Sequence, residues 1–142
     1  MELQIPEQER LEYLLTQGGF VKNKMGADVH IRTVTEEFRA EFIVLFFGAA
    51  WSSQSQEVTL RLAKFLTHCN RIKEEVRLLY LGNEQSEQEL QVYLETSALK
   101  DLPVVHNFKF NDDFAMRVRE ELLLDSLPTV FVFDKNLEIV TQ

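Results

Sequence analysis

Leu11, Leu14 and Leu15 recur at helical spacing behind Pro6, and Gly18-Gly19 follows them, so a helix is predicted from Pro6 to Gln17. Phe20 to Asp28 is mostly polar, contains Gly26 and reads as a loop. Val29-His30-Ile31-Arg32-Thr33-Val34 alternates apolar with polar, which predicts a half-buried strand. Thr35-Glu36-Glu37 then reads as a polar turn or a single helical turn. Phe42 to Phe47 is apolar at every position, the pattern of a strand covered on both faces, and is the candidate centre of a sheet. Gln54 to Lys73 carries Val58, Leu62, Phe65, Leu66, Cys69 and Ile72 at helical spacing, which predicts a long helix with this stripe on the sheet.

Val76 to Leu81 is the next predicted strand, ended by Gly82-Asn83. Ser86-Glu87-Gln88-Glu89 has the form of a capping box, with Leu90, Tyr93 and Leu94 behind it, so a helix is expected as far as Thr96. Leu102-Pro103-Val104-Val105 is short and apolar, but Pro103 donates no hydrogen bond and bars a regular central strand there. Asn111-Asp112-Asp113 places acids at the start of a helix whose buried stripe is Phe114, Val118 and Leu122. Leu127-Pro128-Thr129 leads into a strand at Val130 to Phe133. Asp134-Lys135-Asn136 turns the chain, and Leu137 to Thr141 pairs back as a hairpin. Helices alternating with parallel-type strands, closed by an antiparallel hairpin, predict an α/β fold.

Between the central strand and the long helix lies Ala49-Ala50-Trp51-Ser52-Ser53-Gln54-Ser55-Gln56. A serine here satisfies an open backbone N–H at a helix start, which is the expected role of Ser52 or Ser55. A serine nucleophile needs a neighbouring base with an orienting acid. His30 falls on the preceding strand, His68 on the flank of the helix stripe and His106 in a loop, and their spacing does not point at Ser52. Nor do the three histidines have ligand spacing, and no glycine-rich phosphate loop is present, so neither metal nor cofactor is expected. Cys69, the one cysteine, falls in phase with Phe65, Leu66 and Ile72 and is expected to pack as a small hydrophobe. It lies about five helical turns from Ser52.

Composition narrows the class. The 142 residues suit one core, and the 45% hydrophobic content with eleven Phe residues is enough to fill it. A net charge of −8 without a basic cluster disfavours nucleic acid and anionic membrane as partners. One cysteine rules out an intramolecular disulfide framework. The acidic start, Met1 to Glu7, resembles neither a secretory signal nor a transit peptide. No apolar run approaches the roughly 20 residues that span a bilayer. A cytoplasmic protein is the expectation; residence in a flagellum or another non-secretory compartment would look the same.

Three features together resemble the thioredoxin-like superfamily: the strand and turn from Phe42 to Trp51, Ser52-x-x-Ser55 at the head of the next helix, and Leu127-Pro128-Thr129 before the closing hairpin. The runs Val44-Leu45-Phe46-Phe47-Gly48-Ala49-Ala50 and Thr59-Leu60-Arg61-Leu62-Ala63-Lys64-Phe65, with Pro103, are similar to its tryparedoxin and nucleoredoxin-like branch. The resemblance covers about Val29 to Thr141. It implies a three-layer thioredoxin-like fold with a central mixed sheet, formed by residues 29–142 and preceded by an extension at 1–28. It also implies that Ser52 and Ser55 stand where the family has cysteines, that Ser53 stands at a common proline, and that Pro128 is a cis-proline beside the site. The segment between Pro103 and Pro128 is longer than usual for the branch, and the terminal helix after the last strand is absent.

Thiol–disulfide exchange needs a thiolate and a resolving thiol. A serine hydroxyl is far less acidic, and oxygen forms no equivalent reversible bond. The resemblance therefore implies a non-catalytic module that binds protein. Trp51, Ser53, Gln54, Leu127, Pro128 and Thr129 are the candidate contact residues, in a hetero-complex or homo-oligomer. Trp51 reads equally as a partly buried packing residue, and Pro128 as a purely structural one. A second contact surface is the closing hairpin, where Val130 and Val132 on one face and Phe131 and Phe133 on the other need cover from the Pro6–Gln17 helix or from a partner. The alternatives are an oxidoreductase whose two cysteines were deliberately changed to serine, and a redox sensor acting through Cys69.

Overall fold

The structure, a computed structural model, describes residues 7–141. Its elements are α1 (Glu7–Gln17), β1 (Phe20–Lys22), β2 (Asp28–His30), a helical turn at Thr33–Glu37, β3 (Phe42–Gly48), α2 (Ser53–Arg71), β4 (Val76–Gly82), α3 (Glu87–Thr96), β5 (Val105–Asn107), α4 (Asp113–Glu121), β6 (Thr129–Asp134) and β7 (Ile139–Thr141). The seven strands form one open mixed sheet in the order β2-β1-β5-β4-β3-β6-β7. β4 runs parallel to β3 and to β5, and β6 runs antiparallel to β3.

Two apolar layers sandwich this sheet. On one face Leu14, Leu15, Val34, Phe114 and Val118 pack with Ile43, Leu45, Phe47, Phe131 and Phe133. On the other, Leu66 and Cys69 of α2 and Leu90 and Tyr93 of α3 pack with Val44, Phe46, Leu78 and Tyr80. Successive side chains of a strand point to opposite faces, so a strand apolar at every position, as β3 is, serves both layers. α1 and α4 are further joined by the Arg10–Glu121 ion pair at 2.8 Å. Where α1 ends, a Cβ at Gly18 would collide with the Phe114 ring, so the glycine is required by close approach of α4.

Five expectations are corrected. First, the expected loop from Phe20 to Asp28 contains a strand. β1 is only three residues long, too short for alternation to register, yet it pairs β2 through Val21↔Val29 and meets β5 at Lys22↔Asn107. Asp28 accepts both Lys22 and Lys109, which hold its carboxyl below the usual carboxylate range.

Second, the predicted strand from Val29 to Val34 stops at His30. Ile31 and Val34 are both fully buried, and a spacing of three puts them on one face of a helical turn but on opposite faces of a strand. Thr35 fixes the turn by donating to the carbonyls of Leu15 and Ile31. Third, the buried line of α2 is rotated from the expected stripe. Ser55, Thr59, Ala63, Leu66 and Cys69 are buried, Val58 and Leu62 are half-buried, and Phe65 and Ile72 are exposed. The aromatic rings of Phe46, Tyr80 and Tyr93 occupy the space beneath the helix start, so small side chains must face them.

Fourth, His106 is not in a loop but on β5, where burial and the Arg77 charge push its pKa down. β5 begins two residues after Pro103, so the proline stays outside the ladder. Fifth, β7 starts at Ile139, because Leu137 sits at φ 61° in the turn, whose amides at Asn136 and Glu138 donate to the Asp134 carboxylate. The predicted helix start at Pro6 lies outside the described residues.

α1 settles part of the cover expected for the hairpin. It lies in the layer that buries Phe131 and Phe133, while Val130 and Val132 on the opposite face are half-buried beside α2. Ile139 and Val140 are about half exposed.

Candidate functional site

Sheet register gathers three loops at one end of the molecule. Gly48 pairs with Gly82, and Phe47 pairs with Thr129. The segments that leave β3 and β4 and the one that enters β6 therefore meet at the same level. They carry Ala49–Ser52, Asn83–Ser86 and Ser126–Pro128. The Leu127–Pro128 peptide bond is cis, and Thr129 Oγ1 donates to the Ser126 carbonyl at 2.7 Å. Leu127, Pro128 and Thr129 are half-buried.

Ser52 is the N-cap of α2. Its backbone is extended, and its Oγ accepts the Ser55 amide at 3.2 Å. Ser53 and Gln54 are exposed, whereas Ser55 is fully buried and its Oγ has no hydrogen-bond partner. The two serines therefore differ: one is a cap at the surface and the other lies inside the helix–sheet contact. Ser52→Ala is expected to lower stability by about 1 kcal/mol, measured by denaturant unfolding, because one amide of the first turn loses its acceptor.

Trp51 is 53% exposed, and its indole is pinned: Nε1–H donates to the Asn83 carbonyl at 2.9 Å. Asn83 is fixed in turn. Its amide donates to the Gly48 carbonyl, and its Oδ1 accepts Arg119 Nη1 at 3.0 Å. Arg119 stacks over Phe47, with its guanidinium carbon 4.9 Å from the ring centre. Gln56 Nε2 donates to the Ala50 carbonyl at 2.7 Å and closes the turn from the other side.

Beneath these loops lies a buried polar cluster. Tyr80 donates its hydroxyl to Glu84 Oε1 at 2.6 Å, while Glu84 Oε2 has no partner. Glu84 is 8% exposed, and burial pushes its carboxyl up to about 7 against the pull of the Tyr80 hydrogen bond. Burial and the neighbouring Glu84 push the Tyr80 hydroxyl far above its ordinary range. The Tyr93 ring lies 5.6 Å from that of Tyr80, tilted by 36°, and its hydroxyl pairs with Thr59 Oγ1. An open groove of about 490 Å³ runs from Ala50 between α2 and α3, with Gln56, Glu89, Val92 and Tyr93 among its lining residues.

The register sets the candidate residues at one end of the sheet: Trp51 on the first loop, Ser53 and Gln54 in the first turn of α2, Leu127 and Pro128 on the third loop and Thr129 at the start of β6. Cys69 is not there. It lies in the last turns of α2, 3% exposed, and burial pushes its thiol up, away from the reactive thiolate. No histidine hydrogen bond reaches Ser52 or Ser55 among the described residues. The Asn83, Glu84, Tyr80 and Arg119 cluster was missed in the sequence. Gly82-Asn83 read only as a strand end, and Tyr80 only as one more apolar position. No group of histidine, cysteine and acidic side chains suited to hold a metal occurs among the described residues.

A mixed open sheet between two helical layers, with a helix N-terminus and a cis-proline loop meeting beside an exposed tryptophan, defines a thioredoxin-like fold. The chain belongs to the thioredoxin-like family, whose model matches residues 40–139. The structure is similar to thioredoxin from Wuchereria bancrofti, with a TM-score of 0.76 and 15% identity over 89% of this chain and 82% of that one. It is also similar to tryparedoxin II from C. fasciculata, with a TM-score of 0.71 and 17% identity over 96% and 84%. The thioredoxin domain of a thiol-disulfide oxidoreductase from Bacteroides vulgatus gives a TM-score of 0.67 and 15% identity over 86% and 80%. No curated protein matches the chain in sequence. Among the described residues no helix is long and apolar enough to cross a membrane.

Proposed function

We propose that this chain is a non-catalytic thioredoxin-like module that binds protein, as a subunit or adaptor of a larger assembly. The observation that carries the reading is the pair Ser52 and Ser55 at the head of α2, in a family whose exchange chemistry needs sulfur at that place. Ser52 acts as a helix cap and Ser55 is enclosed, so neither has the geometry of an activated nucleophile. The contact surface proposed is the exposed Trp51 with Ser53 and Gln54, and Leu127, Pro128 and Thr129 opposite. The half-exposed β6–β7 hairpin is the second surface. Residues 29–142 form the module in this reading, with 1–28 as an extension that packs into it through α1 and β1, and the cytoplasm is its place.

The test is disulfide reduction with a small disulfide or insulin as substrate. The chain as it stands is expected to show no turnover above background. Ser52→Cys/Ser55→Cys is expected to gain it, because the helix N-terminus that lowers a cysteine pKa is in place. Turnover by the unaltered chain would overturn the reading. For binding, an affinity capture that yields no partner, from a chain that stays monomeric, counts against it.

A second reading is an oxidoreductase of the tryparedoxin type with its cysteines deliberately replaced by serine. The solved tryparedoxins and thiol-disulfide oxidoreductases of the same fold favour it. The natural coding sequence at positions 52 and 55 decides between the two. A redox-sensing role for Cys69 has no support from its buried position.

A further inference from the structure

The Glu84 carboxyl lies in the loop that holds Trp51, and among the described residues its side-chain hydrogen bond comes from Tyr80. The carboxyl folds back over Gly82, where a Cβ would collide with both carboxyl oxygens; its own backbone amide, like the Tyr80 hydroxyl, favours the charged form, against the larger effect of burial. Its second oxygen is buried without a partner. The very next residue toward the N-terminus, Asn83, supplies the carbonyl that pins the Trp51 indole. One short loop therefore joins a buried acid to the exposed aromatic.

We infer that Glu84 is a proton-operated latch on Trp51: the neutral carboxyl lets the Gly82–Gln85 loop lie against Tyr80 with Asn83 in reach of the indole, and ionisation lifts the loop toward water and frees Trp51. The physical cause is desolvation. A buried carboxylate with an unpartnered oxygen is costly, and the loop can relieve that cost by moving outward.

The groups that face Glu84 do not compensate its charge. They are Tyr80 on β4 and Tyr93 and Glu89 on α3, and the acid Glu89 adds repulsion. Arg119 on α4 binds the neighbouring Asn83 side chain. The carboxyl titrates at about 7, which places the change within reach of ordinary cellular pH. The consequence for partner binding rests on the proposed role of Trp51; the latch itself does not, and it is read on the free chain.

Trp51 is the only tryptophan, so its fluorescence reports the latch directly. Raising the pH from 5.5 to 8.5 is expected to move the emission to longer wavelength, with a midpoint near 7. In Glu84→Gln, which keeps the Tyr80 acceptor and removes the charge, the transition is expected to be lost. Tyr80→Phe is expected to move the midpoint upward, because the hydrogen bond that favours the carboxylate is gone. A flat titration in the unaltered chain overturns the latch. So does a transition that survives unchanged in Glu84→Gln, which would assign it to a histidine, or a midpoint unmoved in Tyr80→Phe. A failed partner capture leaves this result standing, and a failed titration leaves the binding reading standing.

Discussion

Phe46→Ala is expected to cost ~3–5 kcal/mol of folding stability, the largest loss from any single side chain beside the site. Phe46 is fully buried in β3, its ring 5.5 Å from Tyr80, and it belongs to the layer formed with α2 and α3. Truncation removes the transfer free energy of the ring and leaves a cavity among rigid neighbours, since Tyr80 is itself held by Glu84. Against a typical total of about 5–15 kcal/mol, that is a large fraction, equivalent to a fall of on the order of 10 °C in Tm. Urea unfolding measures it. A loss near the ~1 kcal/mol expected of the Ser52 cap would mean that the layer under the site can collapse, contrary to its packing.

Glu84→Gln is expected to stabilise the protein above pH 7 and to flatten the dependence of its stability on pH. The carboxyl is raised from 4.5 to about 7 in the folded chain. The folded state therefore holds its proton more tightly than the unfolded state does. The contribution is fully present below about pH 4.5 and is lost as the pH climbs through 7. The interval corresponds to roughly 3 kcal/mol, and partial access of water to the loop reduces it to on the order of 2 kcal/mol. Glutamine cannot ionise, so the variant escapes the loss at high pH. Denaturant unfolding at pH 5.5 and 8.5 reads the difference. Equal pH dependence in both proteins would show that Glu84 is solvated in the folded state. Asp28 acts in the opposite sense, because its lysine partners depress its pKa: its contribution is present above the usual carboxylate range and is lost on acidification.

How much of this was legible depends on the range of the interaction. β3 was readable because a strand buried on both faces has no polar position, and the start of α2 because a serine cap is a local signal. α3 was readable for the same reason: Ser86 Oγ accepts the Glu89 amide, although Glu89 reaches back to the Gln85 amide, one residue before the cap. The phase of α2 was not readable. Hydrophobicity alone selected Phe65 and Ile72, but the space left by Phe46, Tyr80 and Tyr93 admits only Ser55, Thr59 and Ala63. Val29 and Ile31 alternate as in a strand, but the three-residue step from Ile31 to Val34 suits a helical turn, and Thr35 ties that turn to α1.

The sequence by itself determined the order of helices and strands from β3 to α3 and from α4 to β7, the two-sided burial of the central strand, the helix start at Ser52 and the absence of a thiol there. Those are properties of neighbours along the chain. Only the tertiary structure decided that Trp51 is held by Asn83, 32 residues away, and Asn83 by Arg119, 36 residues further. It also decided that Glu84 is buried beneath them. The pairing of Gly48 with Gly82 and of Phe47 with Thr129 sets those meetings, and a one-residue slip in either would turn every side chain to the other face. Local patterns fix which residues can be strands; the register between strands fixes which of them share a site.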